Sequence, residues 1–153
     1  MRMRVRRAGR WIAAPAALAG AWLCAMGGCS LNDLRSDERM ERGLVLILPG
    51  IEGPSALNWN LARGLEEGGV ACGIEVFDWG VQVPGGALIN LADYERNRWM
   101  AGRIRDRIID YRRSHPRRCI HVIGHSGGGG VAVLAVESLP EDTQVSTLIL
   151  LAA

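Results

Sequence analysis

Lysine is absent from this chain: all 18 of its basic residues are arginine. A phosphate-binding loop of the Gly-x-x-x-x-Gly-Lys-Ser/Thr type needs a lysine, so that reading is excluded despite 20 glycines. Histidine is scarce, with His115, His121 and His125 and none beyond them. No four-ligand spacing joins His121, His125 and Cys119, so no metal is expected, and no other motif asks for a cofactor. A dinucleotide fingerprint is matched formally by Gly127, Gly129 and Ala132, but the next apolar run, residues 148–151, ends in two alanines. The carboxylate that would hold a ribose is missing. The formal charge of +2 does not support nucleic-acid binding either. Five arginines precede residue 11 and all 16 acidic residues follow it, so removal of the N-terminus leaves an acidic chain. Arginines over residues 96–118 alternate with Glu95, Asp106 and Asp110, the pattern of a solvated helix face.

What is present begins with a targeting segment. Arg2, Arg4, Arg6, Arg7 and Arg10 precede an apolar run over residues 11–28, a charged n-region followed by an h-region. Met26-Gly27-Gly28-Cys29 resembles a bacterial lipobox, which implies a signal peptide over 1–28, lipidation of Cys29, and a short linker over 29–42. The protein is then expected outside the cytoplasm, in the cell envelope, held to the membrane by acyl chains. The alternative is an uncleaved signal anchor, since the run is just long enough to span a bilayer.

The densest chemical signal is Gly124-His125-Ser126-Gly127-Gly128. It follows a β-branched run over residues 119–123 and precedes Val131, Leu134, Ala135 and Leu139, which recur at helical spacing. A strand, a sharp turn carrying a serine, and a helix make a nucleophile elbow. Such a turn leaves no room for side chains at Gly124 and Gly128. It also aims the unpaired N–H groups of the helix start at the point where charge would develop on a substrate oxygen.

The rest of the chain reads as alternating strands and helices. An apolar run over residues 43–48 precedes Pro49-Gly50. Ser55 is suited to cap a helix with Leu57, Leu61 and Leu65 on one face, ended by Gly68-Gly69. A second strand is expected over residues 73–77 and a loop over 81–90. A long amphipathic helix follows, with Met100, Ile104, Ile108 and Tyr111 on one stripe, closing at His115-Pro116. This is an α/β pattern with a mainly parallel sheet and flanking helices.

Together these segments, spanning residues 43–153, resemble the α/β-hydrolase family. The resemblance implies a partial α/β-hydrolase domain in which Ser126 is the nucleophile and the N–H groups of Ile51 and Gly127 form the oxyanion hole. It implies an acyl or ester substrate, with amide, thioester and acyl-transfer chemistry served by the same site. In that family the acid and the histidine follow the nucleophile, and here no histidine does. Glu137, Glu141 and Asp142 fall where solvated surface charges are expected, and Asp78 and Glu52 where turn or capping roles are. The resemblance therefore implies the N-terminal portion of a larger enzyme, its histidine and acid supplied after Ala153. A non-catalytic membrane-anchored lipoprotein, or an inactive hydrolase-like fragment, is the competing expectation. The family's strand order also sets the strand of residues 44–48 between those of Cys72 and Cys119. That separates the two cysteines by about 9.6 Å, beyond disulfide reach, and predicts two free, buried thiols.

Overall fold

The computed structural model describes residues 33–153. The targeting segment and Cys29 lie outside them. Four strands, β1 (Gly43–Leu48), β2 (Gly73–Val76), β3 (Cys119–His125) and β4 (Thr147–Leu151), form one sheet in the order β2-β1-β3-β4, and every pair is parallel. The expected α/β class with a parallel sheet and flanking helices is what the chain adopts. Parallel neighbours need crossovers, and helices supply them: α2 (Ala56–Glu67) between β1 and β2, α3 (Gly86–Ala92) and α4 (Tyr94–Ser114) between β2 and β3, and α5 (Gly127–Glu137) between β3 and β4.

All six residues of β1 are buried, as befits the strand beside which both faces are covered. Leu44, Leu46 and Leu48 point to one side with Ile120 and Val122, against Met100, Ile104, Ile108 and Tyr111 of α4 and Val131 and Ala135 of α5. The stripe expected on α4 is therefore its buried face. Val45 and Ile47 point to the other side with Ile74 and Ile123, against Leu61, Ala62 and Leu65 of α2. Leu57 is exposed, unlike the expected stripe. Asn58 is buried in its place and joins Ser55 at the helix start, accepting from its N–H at 3.1 Å and its hydroxyl at 2.9 Å.

Within the stretch expected as linker, a 3₁₀ turn (Asp33–Arg35) and a short helix α1 (Asp37–Met40) pack on the sheet. Leu34 joins the cluster around Val45 and Ile47. The Arg39 guanidinium donates to the carbonyls of Val70 and Cys72 and pairs with Glu66 at 3.3 Å.

The two thiols are free, but their sulfurs lie 3.9 Å apart and are half-buried. The strand order is the expected one, and Gly43, paired with Cys119 in register, stands between the two residues. A Cβ on Gly43 would sit 2.6 Å from one sulfur and 2.7 Å from the other. Because Gly43 carries none, both side chains lean over it and meet, which strand spacing alone does not reveal. Burial, and then the neighbouring Cys119, push the Cys72 thiol up from its ordinary value. Burial likewise pushes the Tyr111 phenol up to about 12, its hydroxyl donating to the Met40 carbonyl at 2.6 Å.

Candidate active site

Ser126 stands between the last residue of β3 and the first of α5, with φ 51° and ψ −125°. A side chain in that region costs about 1–3 kcal/mol, so the surroundings must hold it there. Its N–H donates to the Leu151 carbonyl of β4 at 2.8 Å, and its carbonyl accepts from Gly129 N–H at 2.9 Å. The glycines on either side have a packing reason. A Cβ on Gly124 would lie 2.6 Å from Gly129 Cα, and one on Gly128 would run into the carbonyls of Leu48 and Pro49. Strand, serine and helix can meet this closely only without those side chains.

The loop after β1 comes to the same place. A Cβ on Gly127 would stand 3.5 Å from the Ile51 nitrogen, so the backbones of Ile51 and Gly127 are neighbours across the elbow. The loop is held peptide by peptide. Pro49 C=O accepts from the Trp79 indole N–H at 2.7 Å, Gly50 C=O from Gly53 N–H at 3.0 Å, and Ile51 C=O from Asn90 Nδ2 at 2.8 Å. The middle bond fixes the plane that carries the Ile51 N–H, because Gly50 C=O and Ile51 N–H belong to one peptide. The first N–H groups of α5, Gly127 N–H among them, have no intrahelical acceptor.

Asn90 is the hub of this arrangement. It is 2% exposed, and its Oδ1 accepts from Val81 N–H at 2.8 Å and Arg96 Nη1 at 3.2 Å, while its carbonyl accepts from Asn97 Nδ2 at 2.8 Å. Arg96 reaches on to the Trp79 carbonyl at 2.8 Å. The sequence pattern passes over Asn90, Trp79 and Arg96. The one available sign was a lone asparagine inside the apolar run Ala87-Leu88-Ile89-Asn90-Leu91.

Among the described residues, no side chain hydrogen-bonds the Ser126 hydroxyl. His125 turns its Nδ1 to the Glu52 carboxylate, 3.8 Å away. His115 caps α4, stacks on Tyr111 at 4.5 Å between ring centroids and faces Glu41, while His121 lies along β3 between Val45 and Thr147. Asp78 closes a turn, accepting from Gly80 N–H and Gln82 Nε2 at 3.1 Å each. Glu137, Glu141 and Asp142 are exposed around the end of α5. Ser126, Ile51, Gly127, Gly124 and Gly128 are thus brought together, and the acidic residues after the serine are not.

Two hollows open on either side of Ile51. One, of about 480 Å³, is bounded by Ile51, Gly127, Gly130, Leu91 and Leu134. The other, of about 310 Å³, lies between Glu52 and residues 81–87, part of the stretch expected as loop. That stretch also contains most of α3, which the sequence pattern does not announce. No family model matches this sequence, and no curated protein or solved structure is detectably similar to it.

Proposed function

We propose that this chain is an α/β-hydrolase-type serine hydrolase acting on acyl esters. The observation that carries the reading is the strained Ser126 at a strand-to-helix junction, with Ile51 and Gly127 as backbone neighbours. Strain of this kind persists only where the surroundings impose it, and it concentrates at functional sites. A strand order with β1 between β2 and β3 is what the family resemblance implies, and it agrees with the reading without establishing it.

In the reaction, Ser126 Oγ bonds to the acyl carbon as its proton passes to a base. The carbonyl oxygen becomes an oxyanion, which accepts hydrogen bonds from the Ile51 and Gly127 N–H groups. The ester C–O bond then breaks, the alkoxide takes the proton, and water hydrolyses the acyl-enzyme to free acid and Ser126. The protein is exported and anchored in the cell envelope through Cys29, and its partners are the membrane and a small acyl substrate.

The test is labelling of the natural full-length product by a fluorophosphonate, with loss of label in Ser126→Ala. A folded product that takes no label overturns the enzymatic reading. It would favour the second one, a non-catalytic lipoprotein module, for which the lack of any side chain bonded to the Ser126 hydroxyl among the described residues speaks. Incorporation of labelled fatty acid, abolished in Cys29→Ala, tests the anchor; unchanged incorporation excludes it.

A further inference from the structure

We infer that Cys72 and Cys119, with the Arg42 carbonyl oxygen, form a binding site for one soft cation, copper(I), at the end of the sheet opposite Ser126. The inference is independent of the hydrolase reading. Cys119 opens β3 and Ser126 follows its last residue, so the two places lie about 20 Å apart at the rise of a strand.

The first observation is a distance that suits no direct bond. The sulfurs lie 3.9 Å apart, on segments 47 residues distant in sequence. A disulfide needs sulfurs at about 2.05 Å and Cα atoms within about 6.8 Å, whereas residues on either side of a middle strand stand about 9.6 Å apart. Both side chains already lean together over Gly43, so closing the gap by a direct bond requires the strands themselves to shift. An ion between the sulfurs closes it with the strands in place.

The second is a triangle. The Arg42 carbonyl oxygen lies 3.9 Å from the Cys72 sulfur and 3.8 Å from the Cys119 sulfur. With the sulfur–sulfur separation these distances make a nearly equilateral set, whose centre is about 2.2 Å from every corner; metal–thiolate bonds run to about 2.3 Å and metal–oxygen bonds to about 2.0–2.2 Å. As hydrogen bonds, S–H contacts of this length are weak and do not account for the arrangement. The third observation is clearance. A Cβ on Gly43 would intrude between the sulfurs, 2.6 Å from one and 2.7 Å from the other, and both thiols are only half-buried, so an ion can enter.

Donor chemistry selects the ion. Thiolates are soft ligands that favour copper(I) and zinc. Structural zinc takes four ligands, and among the described residues no group of three or more histidine, cysteine or acidic side chains is placed to hold a metal. Copper(I) is satisfied by two or three donors. On binding, each S–H bond breaks and each sulfur bonds the ion; the two protons pass to water and no electron moves. The site then carries one net negative charge beside Arg39, which donates to the Cys72 carbonyl at 3.2 Å and shares its guanidinium with Glu66.

The experiment titrates the natural full-length protein with copper(I) under nitrogen, in competition with a colorimetric copper chelator. The copper that counts is the amount lost in the Cys72→Ser, Cys119→Ser double variant, expected to be one per chain, with two protons released and two sulfurs at about 2.3 Å by X-ray absorption. Each single serine variant, shown to be folded by circular dichroism, should weaken the site by more than about 100-fold, beyond what losing an outer partner of a ligand costs. Gly43→Ala keeps both thiols and should weaken it as well. Equal copper in the natural protein and the double variant overturns the site, as does a folded natural protein that holds none. Zinc retained in preference to copper overturns the choice of ion. A Cys72–Cys119 disulfide formed in the folded protein by oxidised glutathione overturns the distance argument on which the bridge rests.

Discussion

The two ends of the sheet solve the same steric problem and use it differently. At the N-terminal ends of the strands, Gly43 lets two thiols meet, with Tyr111 bonded to Met40 and Arg39 tying α1 to the carbonyls of Val70 and Cys72. At the C-terminal ends, Gly124 and Gly128 let a helix start crowd a strand, and the close approach is spent on holding Ser126 in an unfavourable conformation. Both ends omit side chains, but one gains packing and the other stores strain. The first should therefore respond to mutation in stability, the second in chemistry.

The sharpest break of that contrast is Ser126→Ala. It should lower ester hydrolysis by about 10⁴-fold or more with no loss of melting temperature, read by steady-state kinetics beside calorimetry. Next is Asn90→Asp, which keeps an acceptor for Val81 and Arg96 but loses the donor to Ile51 C=O. A loss of about 10²–10³-fold in kcat with KM little changed is expected if that bond sets the oxyanion loop, since one oxyanion donor is worth that much. Equal activity would remove Asn90 from the site.

At the other end, Gly43→Ala should cost about 1–3 kcal/mol, because its methyl group displaces both sulfurs, while activity per folded molecule is unchanged. Denaturant titration measures the first and active-site titration the second. The smallest effect is Tyr111→Phe, about 1 kcal/mol for the lost bond to Met40. It carries a pH signature with a definite sign. The Tyr111 phenol, pushed up to about 12, and the raised Cys72 thiol both keep their protons longer in the folded chain than in the unfolded one. Their contribution is complete below the unfolded values, 10.0 and 9.0, and is lost as pH rises through the folded ones. Stability should thus fall between about pH 9 and 12, and less steeply in Tyr111→Phe.

Much of the fold was legible because parallel strands and one-sided helices obey simple periods. β1, β3 and the stripe of α4 follow from apolar runs and spacing alone. The elbow was legible because its glycines are forced by contact. The misses have one physical cause, that local patterns do not record which way a short element faces. On α3 the apolar Leu88 and Leu91 look outward and the polar Asn90 inward, so the usual rule hides both the helix and the residue that holds the loop after β1. On α2, Leu57 and Asn58 exchange their expected places. The meeting of Cys72 and Cys119 depends on a missing side chain in a third strand.

The bond from Ser126 N–H to Leu151 also sets an order of events. β1 and β2 are joined through a single helix, whereas β3 must find β1 across some seventy residues of chain, and such distant closures come late in folding. The elbow can take its final shape only when β4, the last of the four described strands in sequence, has docked. Pulse-labelling hydrogen exchange should find the Ser126 amide among the last of the described residues to be protected, so that the turn around the serine is shaped only after β3 and β4 have paired.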